Sequence, residues 1–205
     1  MIVAGVDEVG RGCLAGPVTA AAVILNNPIP GLTDSKKISS SKREILAKLI
    51  KEQAIFSFAS ISNDKIDEIN IHQATLLAMQ QAIMKLTITP DLVYIDGKFT
   101  PKIEVNCKAV IGGDKLISEI SAASIIAKVH RDDFMKKLDR QYPIYDFAKN
   151  KGYGTAHHLN ALKESGYTTC HRKSFKGVVV TWCELPLFTF EYPLNIVSLE
   201  DFLES

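Results

Sequence analysis

The chain has 205 residues, of which 46% are hydrophobic and 23% are charged, a composition that suits a globular protein with a sizeable core. It contains no run of the roughly 18 apolar residues that cross a bilayer, and its N-terminus lacks the basic and apolar regions of a signal peptide. The four cysteines are scattered, without the paired spacing of a zinc site or a disulfide framework. We therefore expect a cytoplasmic protein with reduced thiols and no membrane association.

The net charge of +1 hides an uneven distribution of charged residues. Residues 1–127 hold 13 basic and 13 acidic side chains, whereas residues 128–176 hold 11 basic and 5 acidic ones. The residues after 176 carry five acidic side chains and no lysine or arginine. A basic segment of this kind can neutralise phosphates, although a solvated helix face can have the same composition.

The first 61 residues predict three strands and one helix. Residues 2–6 and 18–25 are apolar and flank a glycine-rich turn, so we expect two strands there. Ser41 and Glu44 form a capping-box pattern at the start of a helix with apolar residues on one face. Residues 55–61 alternate apolar and small side chains, which predicts a third strand.

The next part of the chain predicts helices that alternate with strands. Asn70 caps a helix over about 71–86, and the apolar residues 92–95 form a strand that ends at Asp96. A further strand covers about 104–111. This order predicts an α/β protein with a central mixed sheet flanked by helices.

The C-terminal part predicts helices. The longest helix lies near 116–141, and its small residues 122–124 would let it lie close against the sheet. A final helix ends at Gly166. The apolar and then acidic tail fits a strand and a helix equally.

Two of the predicted strands lead into acidic residues. Asp7 and Glu8 follow the first strand, and Asp96 follows the strand at 92–95. Carboxylates at converging strand ends would repel one another unless a divalent cation neutralised them, and oxygen ligands favour Mg²⁺ or Mn²⁺ over zinc. An ordinary turn explains any one of these acids more simply, but it explains the set less well.

Asp7 and Glu8 pose a geometric difficulty, because adjacent side chains on a strand point to opposite faces. Either the strand ends or twists there, which Gly10 would allow, or Glu8 contributes through its backbone carbonyl. Asp114 follows two glycines just before the longest helix, where helix capping and metal binding are equally good explanations.

The segment Gly10-Arg11-Gly12 follows the acidic pair directly. Glycines let the backbone approach a ligand closely, and an arginine between them offers a fork of donors for a phosphate. The spacing fits neither a P-loop nor a dinucleotide-binding fingerprint. A tight hairpin turn is the more common origin of such a segment.

Aromatic and imidazole side chains lie in and near the basic segment. Tyr153 stands between two glycines and could stack on a sugar or a base, whereas a half-buried tyrosine that anchors a loop is the alternative. His157, His158 and His171 have no acid or cysteine at ligand spacing, so we expect them to face solvent or phosphate.

With these residues the sequence resembles the bacterial ribonuclease HII family. Single motifs of this kind are weak evidence, but here they occur in the family's order over about residues 3–177. The matching stretches are residues 5–12, 32–37, 70–75, 95–97, 120–128, 131–132, 151–153 and 171–175.

The resemblance implies an α/β ribonuclease H-like fold with a C-terminal helical region. We accordingly expect a catalytic domain (1–140), a helical substrate-binding region (141–185) and an acidic tail extension (186–205) that the resemblance does not cover. It also implies an endonuclease that cleaves RNA in RNA–DNA hybrids and incises at single ribonucleotides in duplex DNA. Its reaction would be a two-metal hydrolysis with Mn²⁺ or Mg²⁺ that leaves a 3′-hydroxyl and a 5′-phosphate. We expect a monomer, and no motif for a protein partner is evident.

The resemblance also assigns roles to individual residues. The family's four metal-binding acids fall on Asp7, Glu8, Asp96 and Asp114, which favours a metal role for Asp114. The residues expected to contact the substrate are Gly10, Arg11 and Gly12 at the 2′-hydroxyl, Tyr153 at the sugar, and Lys36. Two positions depart from the family: Cys13 stands where proline is more usual, and Gly112 where lysine is frequent.

Two alternative functions stay open at the level of sequence. Ribonuclease HIII cuts hybrids but not single embedded ribonucleotides, and we expect no room here for its additional N-terminal domain. A non-catalytic protein that binds hybrids would need no clustered carboxylates, which would weaken its binding to phosphate.

Overall fold

The protein is described by a computed structural model that covers residues 1–32 and 38–179. Within this part, five strands form one mixed sheet in the order β3-β2-β1-β4-β5. β2 is antiparallel to both of its neighbours, β1 and β3, whereas β1, β4 and β5 run parallel to one another. The strands are β1 (Val3–Val9), β2 (Val18–Leu25), β3 (Ala54–Ile61), β4 (Leu92–Asp96) and β5 (Asn106–Val110).

Helices cover the sheet and form the C-terminal part of the described chain. They are α1 (Ser40–Gln53), α2 (Asn63–Met84), α3 (Ser118–Gln141), α4 (Phe147–Asn150) and α5 (Ala156–Ser165). Short 3-10 turns lie at Gly113–Lys115 and Pro143–Tyr145. Over these same ranges, no helix combines the length and the hydrophobicity needed to cross a membrane. The predicted α/β architecture is confirmed.

The two faces of the sheet are buried against different helices. Ala4 and Val6 of β1 lie in the apolar core on the side of α2, whereas Ala21 and Val23 of β2 lie on the side of α1 and α3. The approach of α3 is closest at Gly5, where a Cβ atom would lie 2.2 Å from the backbone of α3. The alternation along β1 therefore places Asp7, two residues further on, on the same face as α3.

A third apolar core joins the C-terminal helices to α3. Met135 and Leu138 of α3 pack with Phe147 and Leu162, and Ala15 from the turn after β1 belongs to the same cluster. The apolar packing therefore continues without interruption from α3 into the helices after residue 140. The domain boundary at that residue remains a prediction, and the predicted acidic tail 186–205 lies outside the described residues.

The start of α1 differs from the prediction. The N-cap is Ser39, whose hydroxyl accepts a hydrogen bond from the Lys42 N–H at 3.3 Å. Ser39 has the extended backbone that an N-cap needs, whereas Ser41 already lies in the helix. The predicted capping box was therefore placed two residues too late.

The start of α2 also differs, although the predicted cap is present. Asn70 has a positive φ of 67°, and its side-chain oxygen accepts from the N–H groups of His72 (3.0 Å) and Gln73 (3.1 Å). A helical segment capped by Ser62 precedes this kink. The prediction missed it because Ile66 is its only completely buried apolar side chain.

Candidate active site

The adjacent strands β1 and β4 bring the acidic residues to one edge of the sheet. Val6 pairs with Ile95 in the parallel register, so Asp7 and Asp96 follow at neighbouring positions. The Gly113 N–H donates a hydrogen bond of 2.7 Å to the Asp96 carboxylate. This contact ties the segment that carries Asp114 to the same edge.

Asp7 is the most enclosed of these acids, with 6% of its surface exposed. Its carboxylate accepts a 2.7 Å hydrogen bond from the Glu8 N–H and another from the Ser124 hydroxyl on α3. Burial raises the pKa of Asp7 well above its usual range, and the charges of Glu8 and Asp96 raise it further. The three carboxylates are thus close enough to repel one another.

Glu8 lies on the opposite side of β1 from Asp7. Its carboxylate is 3.4 Å from the Arg11 guanidinium. Burial raises the pKa of Glu8, while Arg11 lowers it and Asp96 raises it. The strand stays regular, since Glu8 pairs with Ala20 and the pairing continues to Val9. The strand therefore does not end at Glu8 but continues to Val9, and the contribution of Glu8 to a metal site stays a prediction.

Asp114 lies in the 3-10 turn Gly113–Lys115 and is 7% exposed. It does not cap α3, because the N-cap position of that helix is Ile117, three residues later. The capping explanation for Asp114 is therefore wrong.

The acidic residues are not arranged as a ready-made metal site. Among residues 1–32 and 38–179, no three His, Cys, Asp or Glu side chains form a cluster that could hold a metal ion as it stands. One reason for this arrangement is that the side chains of Asp7 and Glu8 point to opposite sides of β1. The donors nevertheless fit a hard divalent cation, because they are carboxylate oxygens whose mutual repulsion such an ion would relieve.

A buried arginine on α3 holds the turn after β1 (residues 10–17) through hydrogen bonds. Arg131 is completely buried and donates to the carbonyls of Pro17 (3.0 Å), Lys151 (2.8 Å) and Ala15 (3.1 Å). Gly10 has a φ of +93°, and a Cβ atom there would lie 2.2 Å from the Arg131 guanidinium. The turn therefore requires glycine at position 10 for both its backbone angle and its packing.

A second buried arginine holds the same turn. Arg172 is completely buried and donates to the carbonyls of Gly16 and Arg11, each at 2.9 Å. Burial lowers the pKa of Arg172 to about 9, and the charge of Arg131 also lowers it. Sequence reasoning gave neither arginine a role; their only signal was that they fall in two of the matching stretches.

The turn and the predicted stacking residue lie side by side. A Cβ atom on Gly12 would be 3.7 Å from the ring of Tyr153, an ordinary contact distance. Tyr153 is 44% exposed, and burial of its remaining surface raises its pKa. The Cys13 thiol donates to the Lys151 carbonyl at 3.4 Å, and its side chain also contacts that of Tyr153. Lys36 lies outside the described residues.

The prediction for the histidines is wrong at two of three positions. His158 and His171 are completely buried, and their Nε2 atoms are 3.0 Å apart. The rings of Tyr145 and Phe147 pack around the pair. The adjacent His157 on α5 is exposed as predicted.

Comparison with known proteins identifies the family. A family model described as ribonuclease HII matches residues 4–178. The chain belongs to the ribonuclease HII family. Curated relatives named ribonuclease HII include that of Borrelia recurrentis (strain A1), 54% identical over 179 residues, which cover 85% of this chain and 99% of the relative. That of Vibrio campbellii is 54% identical over 180 residues, which cover 86% of this chain and 85% of the relative.

Solved structures from this group have the same fold. Ribonuclease H2 from Pyrococcus horikoshii OT3 matches with a TM-score of 0.75 and 25% identity, over 87% of this chain and 95% of that one. The RNase HII of Archaeoglobus fulgidus, solved as a complex with PCNA, gives a TM-score of 0.73 and 26% identity over 86% and 95%. Bst-RNase HIII in complex with Mn²⁺ gives 0.73 at 19% identity over 87% and 68%. The predicted ribonuclease H-like fold is confirmed.

Membership of the ribonuclease HII family establishes the general activity. The protein is a ribonuclease H, an endonuclease that hydrolyses RNA paired with DNA. Nucleic acid is therefore its substrate.

Proposed function

We propose that this ribonuclease HII family member also incises duplex DNA at single embedded ribonucleotides, by two-metal hydrolysis. The metal ligands would be Asp7, Glu8, Asp96 and Asp114, with Mn²⁺ or Mg²⁺ as the ions. The observation that carries the proposal is the mutual repulsion of Asp7, Glu8 and Asp96 at one edge of the sheet. This edge lies directly beside the turn that contains Gly10, Arg11 and Gly12.

The acids would supply negative charge that divalent ions neutralise. Divalent ions bound there would activate water for in-line attack and stabilise the leaving 3′ oxygen. Asp7 is held in place by the Glu8 N–H and the Ser124 hydroxyl, and Asp96 by the Gly113 N–H. Glu8 would contribute through its backbone carbonyl, since β1 remains regular at this position. The products would carry a 3′-hydroxyl and a 5′-phosphate.

Recognition of the ribonucleotide would come from the turn after β1. Arg131 and Arg172 bind the carbonyls of residues 11, 15, 16 and 17, so these oxygens are turned towards the protein interior. The backbone of Gly10, Arg11 and Gly12 would contact the 2′-hydroxyl, and Tyr153 would pack against a sugar. A site that expects a hydroxyl leaves polar groups unpaired when it meets deoxyribose, which distinguishes RNA from DNA.

The remaining parts of the proposal concern the whole chain. Residues 1–140 would form the catalytic domain and residues 141–185 a substrate-binding region, with Lys36 as a further substrate contact. We propose a monomer that acts in the cytoplasm. Size-exclusion chromatography with light scattering, in the presence and absence of a hybrid duplex, tests the monomeric state.

The decisive experiment uses a DNA duplex with one internal ribonucleotide, labelled at both ends. We expect a cut at the ribonucleotide in Mg²⁺ or Mn²⁺, with 3′-hydroxyl and 5′-phosphate ends, and no cut after EDTA is added. An all-DNA duplex and a uniform RNA–DNA hybrid are the controls. If the hybrid is cut and the single-ribonucleotide duplex is left intact, the specificity is that of ribonuclease HIII and the proposal is wrong.

A further inference from the structure

Two buried histidines lie next to the backbone of Tyr153, the residue proposed to contact the sugar. His158 belongs to α5, and His171 follows the loop after that helix. Their Nε2 atoms are 3.0 Å apart, and the other ring nitrogen of His158 is 2.9 Å from the Tyr153 carbonyl. A line of hydrogen bonds thus leads from the loop that contains Thr168 to the backbone of Tyr153.

The position of the proton on His171 follows from its neighbours. The Thr168 N–H donates to His171 Nδ1 at 3.0 Å, and a backbone N–H can only donate. His171 Nδ1 therefore carries no proton. A neutral His171 must then carry its proton on Nε2, the nitrogen that faces His158.

The position of the proton on His158 follows in turn. Since His171 Nε2 donates, His158 Nε2 must accept and His158 carries its proton on Nδ1. This Nδ1–H donates to the Tyr153 carbonyl. If His158 were protonated, its Nε2–H would face the Nε2–H of His171. The line of hydrogen bonds therefore forms only when both histidines are neutral.

The surroundings favour this neutral state. Ring centroids of Tyr145 and Phe147 lie 4.7 to 5.8 Å from those of the two histidines. Burial lowers the pKa of both histidines, that of His171 to about 3. Among the described residues, the titratable groups next to the pair are His157, Tyr145 and Cys170, none of which is a carboxylate.

We propose that His158 is a positioning residue that fixes Tyr153 for contact with the ribonucleotide, and that His171 sets the tautomer in which His158 donates to Tyr153. His158 anchors the Tyr153 carbonyl, which also accepts from the Thr155 N–H at 2.8 Å. The Tyr153 N–H donates to the Asn150 carbonyl at 3.0 Å, so both sides of this residue are held. The ring is thereby kept beside Gly12. This inference rests on the proposed role of Tyr153 as the sugar contact.

Two substitutions of His158 separate positioning from simple stability. The side-chain amide of His158→Asn can take the place of Nδ1 and still donate to Tyr153, while it loses His171. The longer side chain of His158→Gln can accept from His171 but no longer reaches the Tyr153 carbonyl. Both variants replace the ring by an amide and break one hydrogen bond, so thermal unfolding should show a similar loss of stability.

The measured quantities are kcat/KM on the single-ribonucleotide duplex and Kd for an all-DNA duplex. We expect His158→Gln to lower kcat/KM about fivefold or more, the equivalent of one lost hydrogen bond, with the Kd for DNA unchanged. His158→Asn should stay close to the wild type. Equal losses in both variants, or no loss in either, would overturn the positioning role.

Tyr153→Ala distinguishes failure of this inference from failure of the proposed function. If Tyr153→Ala lowers kcat/KM on the single-ribonucleotide duplex, the role of the tyrosine stands and the two His158 variants decide the inference. We expect His158→Gln to have no additional effect in the Tyr153→Ala background. If Tyr153→Ala cleaves normally, the proposed role of Tyr153 is wrong and the positioning role is overturned with it.

Discussion

Asp7 combines almost complete burial with two negative neighbours. In the folded protein its pKa is raised above the unfolded value of 3.8, first by burial and then by Glu8 and Asp96. The folded state therefore loses stability as the pH rises from about 3.8 through the folded pKa, because the buried group must ionise. At neutral pH, without divalent cations, this residue destabilises the protein.

We predict that Asp7→Asn raises the melting temperature at pH 8 in EDTA and has little effect at pH 4. The amide removes the buried charge while it keeps a group that can accept from Ser124 and the Glu8 N–H. Cleavage should fall by more than about 100-fold, because even residues that only support metal ligands are worth 10- to 100-fold. Calorimetry and a hybrid-cleavage assay measure the two effects.

The control is Glu52→Gln, which changes an exposed carboxylate on α1 by the same chemistry. It should leave both the melting temperature and the cleavage rate unchanged. If Asp7→Asn is less stable than the wild type at pH 8, the carboxylate is not repelled by its neighbours and the metal site is wrongly assigned.

The side chains of the candidate site differ in how far the sequence could reveal them. Asp7, Glu8 and Asp96 were found because carboxylates at the ends of apolar strands are unusual, and this signal is local. Arg131, His158 and His171 could not be assigned, because each acquires its partners only in the folded chain. Arg131, for example, binds the carbonyl of Pro17, a residue 114 positions away.

At the level of secondary structure, local patterns predicted the elements and missed details that depend on packing. The small residues of α3 indicated close contact with the sheet, and the contact is confirmed because Ala122 and Ala123 lie in one apolar core with Ala21 and Val23 of β2. The regular course of β1 through Glu8 was not foreseen, because its pairing with Ala20 is a property of the sheet. The first segment of α2 was missed because it is mainly polar.

The kink in α2 gives a prediction at this scale. Asn70 adopts a positive φ and caps the second half of the helix through two N–H groups. Asn70→Ala loses the cap but keeps the Cβ atom, and with it the strain of the positive φ, so we expect a loss of about 1–2 kcal/mol in the free energy of unfolding. Urea unfolding monitored by circular dichroism measures it.

Asn70→Gly is the matched variant, because it loses the same side chain and tolerates the backbone angle. It should lower the free energy of unfolding by only a few tenths of a kcal/mol, as glycine does at N-cap positions. Equal destabilisation by both variants would show that the positive φ contributes nothing, whereas full stability of Asn70→Ala would rule out the cap.

For the whole molecule, the buried histidines set a dependence of stability on pH. The pKa of His171 is about 3 in the folded state against an ordinary value of 6.5, and that of His158 is also lowered, because both are buried. The unfolded chain binds these protons at a higher pH than the folded one does. The free energy of unfolding therefore decreases as the pH falls from about 6.5 towards 3.

We predict that His171→Gln flattens the fall in melting temperature between pH 7 and pH 4. The variant should be less stable than the wild type at pH 7, since its hydrogen bonds are altered, and the difference should shrink towards pH 4. The exposed His157→Gln is the control and should keep the wild-type slope. If His171→Gln runs parallel to the wild type, the histidine pair is not neutral in the folded protein.

The two buried arginines also affect when the protein can complete its folding during synthesis. The turn at residues 10–17 leaves the ribosome before residues 131 and 172 do, yet Arg131 and Arg172 bind its carbonyls. Its final shape must therefore wait until residue 172 has left the exit tunnel, even if the sheet assembles earlier. In a nascent chain whose acidic residues are already exposed, their negative charges would repel the phosphodiester backbone. Nuclease activity would thus be withheld until Arg172 is in place.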